Sequence, residues 1–121
     1  MEIIHLEYTD VFDNNASKKV VFSKHLIKKE FNKNSLFAVL VDGESMQPMI
    51  NHRAVIVADL SQKELESDGI YLVYYGDKMW VKRYNKQDDT FISINPLYSD
   101  LVYPKKDIYL VARVLLTFTN L

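Results

Sequence analysis

Short apolar runs separated by polar turns dominate the chain from Leu36 onward. Leu36 to Val41 and Ala54 to Ala58 are nearly continuous in apolar residues, the pattern of strands covered on both faces. Gly69 to Tyr75 and Lys78 to Tyr84 flank Gly76-Asp77, a two-residue hairpin signal. Thr90 to Ile94 reads as a further strand, ended by Asn95-Pro96, and Ile108 to Phe118 as a long closing strand. Strict alternation along that last strand puts Ile108, Leu110, Ala112, Val114, Leu116 and Phe118 on one face. The other face carries Tyr109, Val111, Arg113, Leu115 and Thr117 and is also largely apolar. Both faces therefore need cover, from a second layer of the same domain or from a second subunit.

Upstream the pattern is weaker. Residues 1–17 read as a loosely defined arm, with an extended piece from Ile3 to Tyr8 and a loop signal at Asp13-Asn14-Asn15. Lys19 to Ser23 predicts a short strand. Ser23 then caps a short helix over Lys24 to Phe31, which Asn32 to Ser35 breaks. Ser61 to Ser67 reads as a polar turn or a single helical turn. The expectation is a mainly β fold: an arm with one short N-terminal helix over residues 1–35, then a small sheet domain over residues 36–121.

A length of 121 residues suits one compact domain, and a hydrophobic fraction of 48% supplies one core. Fifteen basic against sixteen acidic residues give a formal net charge of −1. That balance argues against binding phosphates through a basic surface, and the cluster Lys18-Lys19, Lys24 and Lys28-Lys29 reads as a solvated face. The chain has no cysteine, which removes disulfides, thiolate catalysis and cysteine-ligated zinc and fits a cytoplasmic protein. No apolar stretch has the length of a membrane helix, and the N-terminus lacks the pattern of a secretory signal. His5, His25 and His52 are scattered without carboxylates at metal-ligand spacing, so neither a metal nor a cofactor is expected. Eight tyrosines and six phenylalanines sit mostly at alternating strand positions, which suits a core better than a base-stacking surface.

The candidate chemistry lies at Gly43-Glu44-Ser45-Met46-Gln47-Pro48, directly after the run Leu36 to Val41. Gly43 permits a sharp turn, and successive backbone N–H groups around Ser45 are placed to face a developing oxyanion. Thirty-seven residues later, Trp80-Val81-Lys82-Arg83-Tyr84 sets a lysine in a strand-like segment. A serine hydroxyl needs a base, and lysine serves only when neutral. An ordinary lysine, with pKa about 10.4, is charged at pH 7. Burial lowers that value by up to roughly 3–5 pH units, and a drop of three leaves about a quarter of the amine neutral. Alternation puts Trp80, Lys82 and Tyr84 on one face, so the amine would lie between two aromatic rings. Taken alone, a Gly-x-Ser turn and a lysine in an amphipathic strand are equally features of ordinary structure.

The order of these segments resembles the LexA and phage-repressor family of self-cleaving peptidases. Val39 to Ile50 followed by Ala54 to Asp59 is similar to its serine segment. Asp68 to Val73 with Trp80 to Tyr84 is similar to its lysine-bearing hairpin. Ser93 to Tyr98 and Ile108 to Val114 resemble its closing strands. The resemblance covers about residues 36–118. It implies a mostly β fold shared in outline with signal peptidases and UmuD proteins. It also implies Ser45 as nucleophile, Lys82 as general base, the N–H groups of Glu44 and Ser45 as oxyanion hole, and Met46 lining the cleft. The expected function is the C-terminal dimerisation and latent self-cleavage domain of a transcriptional repressor in the SOS response or a phage. Its partners would be a second copy, operator DNA through a helix-turn-helix domain upstream, and the RecA filament, with no membrane.

Three features depart from that pattern, one being that residues 1–35 leave no room for a helix-turn-helix. The family usually has Gly-Asp shortly after the serine motif, where this chain has His52-Arg53. Its members commonly cut between Ala or Cys and Gly, but the glycines here are Gly43, Gly69 and Gly76. By position the cleavage region falls at Asp10 to Ser17, with Ala16-Ser17 as the nearest small pair. A non-cleaving dimerisation module and a UmuD-like accessory protein therefore stand as alternatives.

Overall fold

The computed structural model describes residues 2–119. Two strands, β1 (Ile3–Asp10) and β2 (Ala16–Ser23), form an antiparallel hairpin in full register from Ile3↔Ser23 to Asp10↔Ala16. The residues read as a loose arm are thus ordered strand, and the Asp13-Asn14-Asn15 signal is its turn. Asn14 and Asn15 take positive φ of 49° and 58° there, a conformation that asparagine tolerates well. The helix expected over Lys24 to Phe31 is a single 3-10 turn, Lys24–Leu26. Ser23 does cap it through the His25 N–H, but Ile27 is already extended, with its buried side chain taken by the core.

Seven strands make the second sheet: β3 (Leu36–Leu40), β4 (Val55–Asp59), β5 (Ile70–Tyr75), β6 (Lys78–Asn85), β7 (Thr90–Ile92), β8 (Tyr103–Pro104) and β9 (Ile108–Phe118). Their spatial order is β3-β4-β9-β5-β6-β7-β8, with every neighbouring pair antiparallel. The Gly76-Asp77 hairpin joins β5 to β6, with Gly76 at φ 64°. Every residue of β4 is buried, as the apolar run Val55 to Ala58 requires; Asp59 at its end is buried too. Strict alternation fails on β9. Register shifts opposite Val57/Ala58 and Leu72/Val73 show that Leu115 and Val111 are the extra residues of two bulges. Each bulge turns the strand's inward set over to the other face.

Three apolar clusters result. Ile4, Phe22 and Ile27 pack on Leu36 and Val57, fastening the hairpin to the large sheet. Met46 and Ile50 pack on Ile56, Ala58, Leu72 and Ala112, so the loop carrying Ser45 is anchored on the sheet by its own apolar residues. Tyr71, Val73, Tyr84, Phe91 and Tyr103 form the third. Strand β9 contributes to all three, leaving only Tyr109 and Thr117 exposed along its length. Both faces of that strand are therefore largely covered by the chain itself. Buried Asp59 ties the linker before β3 to the end of β4, accepting from the Asn32 N–H, the Ser61 N–H and the Ser61 hydroxyl. Burial pushes its pKa up, but those donors outweigh it and hold the carboxyl below the usual range.

Candidate active site

Ser45 lies in the loop between β3 and β4, just beyond Gly43, whose φ of 139° is a conformation side chains rarely adopt. A cis peptide bond joins Gln47 to Pro48. Met46 is 3% exposed, which pins the loop to the sheet while Ser45 stays half-buried. Lys82, on β6, is wholly buried. Pairing with Tyr71 of β5 fixes its register, and Trp80 and Tyr84 share its face.

The two side chains meet. Lys82 Nζ lies 3.0 Å from Ser45 Oγ and 2.8 Å from Ser93 Oγ. The amine also stands 4.9 Å from the Trp80 ring centre and 5.7 Å from that of Tyr103. Burial among these groups lowers the Lys82 pKa from 10.5 to about 8. About a tenth of the amine is then neutral at pH 7, and half near pH 8. The expected partner ring Tyr84 instead bonds through its hydroxyl to Asp89, at 2.6 Å. Tyr103 takes its place beside the amine, from the two-residue strand β8, which has no periodic signal in the sequence.

Among the described residues, the N–H groups of Glu44 and Ser45 donate to no protein acceptor. They remain available to an oxyanion formed at Ser45. Ser45 opens on a cleft of about 250 Å³, walled by Val39 to Met46, Leu72, Met79 to Val81 and Tyr98, while wholly buried Lys82 is not among the residues that line it. A larger, open cavity of about 780 Å³ lies elsewhere, around Lys29, Gln62 and Arg113, and contains neither dyad member. The described residues contain no cluster of three or more His, Asp or Glu suited to a metal ion. No helix among them is long and apolar enough to cross a membrane.

His52 and Arg53 have definite roles that sequence reading missed. The Gly43 N–H donates to His52 Nδ1 at 2.9 Å, bracing the turn before the serine. Arg53 adopts φ 69° and lies 4.3 Å from the Phe12 ring, while His52 meets the same ring edge-on at 5.2 Å. The tip of the β1–β2 hairpin thus docks on the residues that support the serine loop. Ala16 and Ser17 begin β2, paired with Asp10 and Thr9. They are not among the residues that line the cleft.

Ser93 and Asn95 also lacked an assigned role. The β6–β7 ladder ends at Arg83↔Ile92, and one further step sets Ser93 opposite Lys82. That signal was available once the two strands were paired.

A family model described as Peptidase S24-like matches residues 5–115. The chain is also similar to a protein of Haemophilus influenzae named as an uncharacterized HTH-type transcriptional regulator, with 46% identity over 48 residues. That stretch takes in 40% of this chain and 20% of the relative, so the similarity spans about a fifth of that protein's length.

Proposed function

The chain belongs to the S24-like peptidase family, and from that premise we propose that it is the self-cleaving, dimer-forming domain of a LexA- or phage-type transcriptional repressor. One observation carries the reading: a wholly buried Lys82 amine 3.0 Å from the Ser45 hydroxyl. Neutral Lys82 takes the hydroxyl proton as Ser45 Oγ attacks a peptide carbonyl carbon. The N–H groups of Glu44 and Ser45 receive the oxyanion, and Met46 helps shape the cleft. As the intermediate collapses, the C–N bond breaks and the Lys82 ammonium returns its proton to the leaving amine. Water then hydrolyses the ester, with Lys82 again as base.

In this reading residues 36–121 form the catalytic and assembly domain, and residues 1–35 carry the segment to be cut. A DNA-binding half belongs to the same repressor inside the cell. Pairing two copies would set two such halves at the spacing of a palindromic operator, and cutting the connection would release DNA. The test is intact-mass measurement of the purified chain incubated from pH 7 to pH 10, with and without a RecA filament. Fragments that appear in the wild type and vanish in both Ser45→Ala and Lys82→Ala are expected. An intact chain under every condition removes self-cleavage.

A specific observation favours a second reading, a dimerisation module that does not cut itself. Ala16-Ser17 is held in the hairpin ladder and residues 1–44 contain no Ala-Gly or Cys-Gly bond. Sedimentation would then show a dimer while the mass stays unchanged. A UmuD-like accessory role would show as a dimer bound to a polymerase rather than to operator DNA.

A further inference from the structure

One short segment touches both halves of the dyad. Strand β7 ends at Ile92, and the next three residues, Ser93, Ile94 and Asn95, run past Lys82 to the serine loop. Ser93 Oγ is 2.8 Å from Lys82 Nζ. The Asn95 N–H donates to the Ser45 carbonyl at 2.9 Å, and Asn95 Nδ2 donates to the Glu44 carbonyl at the same distance. Asn95 is itself 8% exposed, and its Oδ1 accepts from the Leu97 N–H at 3.0 Å, which fixes the side-chain plane. Ile94 packs on the cluster that holds Met46 and Ile50.

We propose that Ser93-Ile94-Asn95 is the positioning unit of this site, with Ser93 aiming the Lys82 amine and Asn95 holding the loop that presents Ser45. The inference rests on the serine-lysine chemistry proposed above and assigns the residues that make it work. A neutral amine has two N–H bonds and one lone pair in tetrahedral array. An N–H committed to Ser93 Oγ leaves the lone pair free to meet the Ser45 hydroxyl on another side. On the serine side, Asn95 occupies the carbonyls of Glu44 and Ser45. Their peptide planes are thereby fixed, and with them the loop on which the N–H groups of Glu44 and Ser45 sit. Ile94 ties the two jobs to one rigid body, so amine and nucleophile cannot drift apart independently. Ser93 contacts the base nitrogen but exchanges no proton with it, and Asn95 contacts only carbonyls of the serine loop, so both act through the dyad as positioning residues. A misplacement of about 1 Å at such a site costs on the order of a hundredfold in rate.

The test uses p-nitrophenyl acetate as acylating probe on the full chain. Ser45 Oγ displaces p-nitrophenolate to form an acetyl ester, and the hydroxyl proton passes to Lys82. Nitrophenolate release gives the rate, and peptide mass locates the acetyl group on Ser45. Ser93→Ala is expected to slow the alkaline plateau by about ten- to a hundredfold. It should also move the pH midpoint downward, because the buried ammonium loses an acceptor while the free amine loses less. Ser93→Thr, which keeps the hydroxyl, should restore both. Asn95→Ala should slow acylation to a similar degree with the midpoint unchanged, since it touches the loop and not the amine. Circular dichroism verifies that each variant is folded.

A Ser93→Ala variant with the wild-type plateau and midpoint overturns the proposal. So does an upward midpoint in both variants, the sign of simple loosening that admits water to the amine. Failure of the wild type to acetylate at Ser45 would count against the peptidase reading instead. The positioning claim is then decided by the ¹³Cε titration of Lys82. A lower midpoint in Ser93→Ala, restored in Ser93→Thr, supports it, and an unchanged midpoint overturns it.

Discussion

Replacing Lys82 with methionine should stabilise the fold at neutral pH while it removes the base. The lysine is wholly buried, and folding lowers its pKa from 10.5 to about 8. Below pH 8 the folded chain carries a buried ammonium that the unfolded chain would hydrate. At about 1.4 kcal/mol per pH unit, that costs about 3 kcal/mol at pH 7. The unfolded chain binds more protons between pH 8 and 10.5, so stability rises through that window and the penalty is gone above it. Methionine follows the same unbranched path with no charge. It forfeits the contacts to Ser45 and Ser93, at about 0.5–1.5 kcal/mol each. The net expectation is a variant about 1–2 kcal/mol more stable than wild type at pH 7. That advantage should shrink by about 2–3 kcal/mol by pH 10.5, leaving the wild type equal or slightly ahead. Urea unfolding of both proteins across this range measures the difference, and titrations common to the two cancel. A gap that does not change with pH would overturn this expectation, because Lys82 would then titrate alike in folded and unfolded chains.

Other expectations follow from the same contacts. Gly43→Ala meets no atom within 4 Å but sits at φ 139°, so strain alone should cost about 1–3 kcal/mol. Thermal unfolding reads that loss, and acylation of Ser45 should fall with it. Arg53→Gly frees a residue held at φ 69° but gives up the contact over Phe12, terms of about 1 kcal/mol each and opposite sign. Stability should stay nearly level while protease nicking at residues 11–15 increases. Ile56→Ala removes a side chain with 0% exposure from the cluster beneath the serine loop. It should cost about 2–5 kcal/mol in urea unfolding.

The parts of the fold legible in the sequence are those where one local rule governs several residues. The apolar run Val55 to Ala58, the Gly76-Asp77 turn and the alternation Trp80, Lys82, Tyr84 each commit the backbone without help from distant contacts. The serine turn was legible because Gly43 and Pro48 bracket it. What escaped depends on tertiary partners. Strands β1 and β2 expose every second residue, His5, Glu7, Ser17 and Lys19 among them, and gain their apolar cover from distant residues such as Leu36, Val57, Leu116 and Phe118. The bulges at Val111 and Leu115 arise from matching β9 to two neighbours at once, which no single-strand pattern encodes. Ser93, Asn95 and Tyr103 look ordinary in sequence, and only strand pairing brings them to the dyad. The helix expected after Ser23 gave way because Ile27 serves the core better from an extended backbone.

Catalysis at Ser45 requires a Lys82 amine that is partly uncharged near neutral pH. Lysine-selective ¹³C labelling, with Lys82 assigned by difference from Lys82→Met, measures its titration directly. A midpoint near pH 8 is expected, against 10.5 for an ordinary lysine. A Lys82 signal that titrates at or above 10.5 would contradict it.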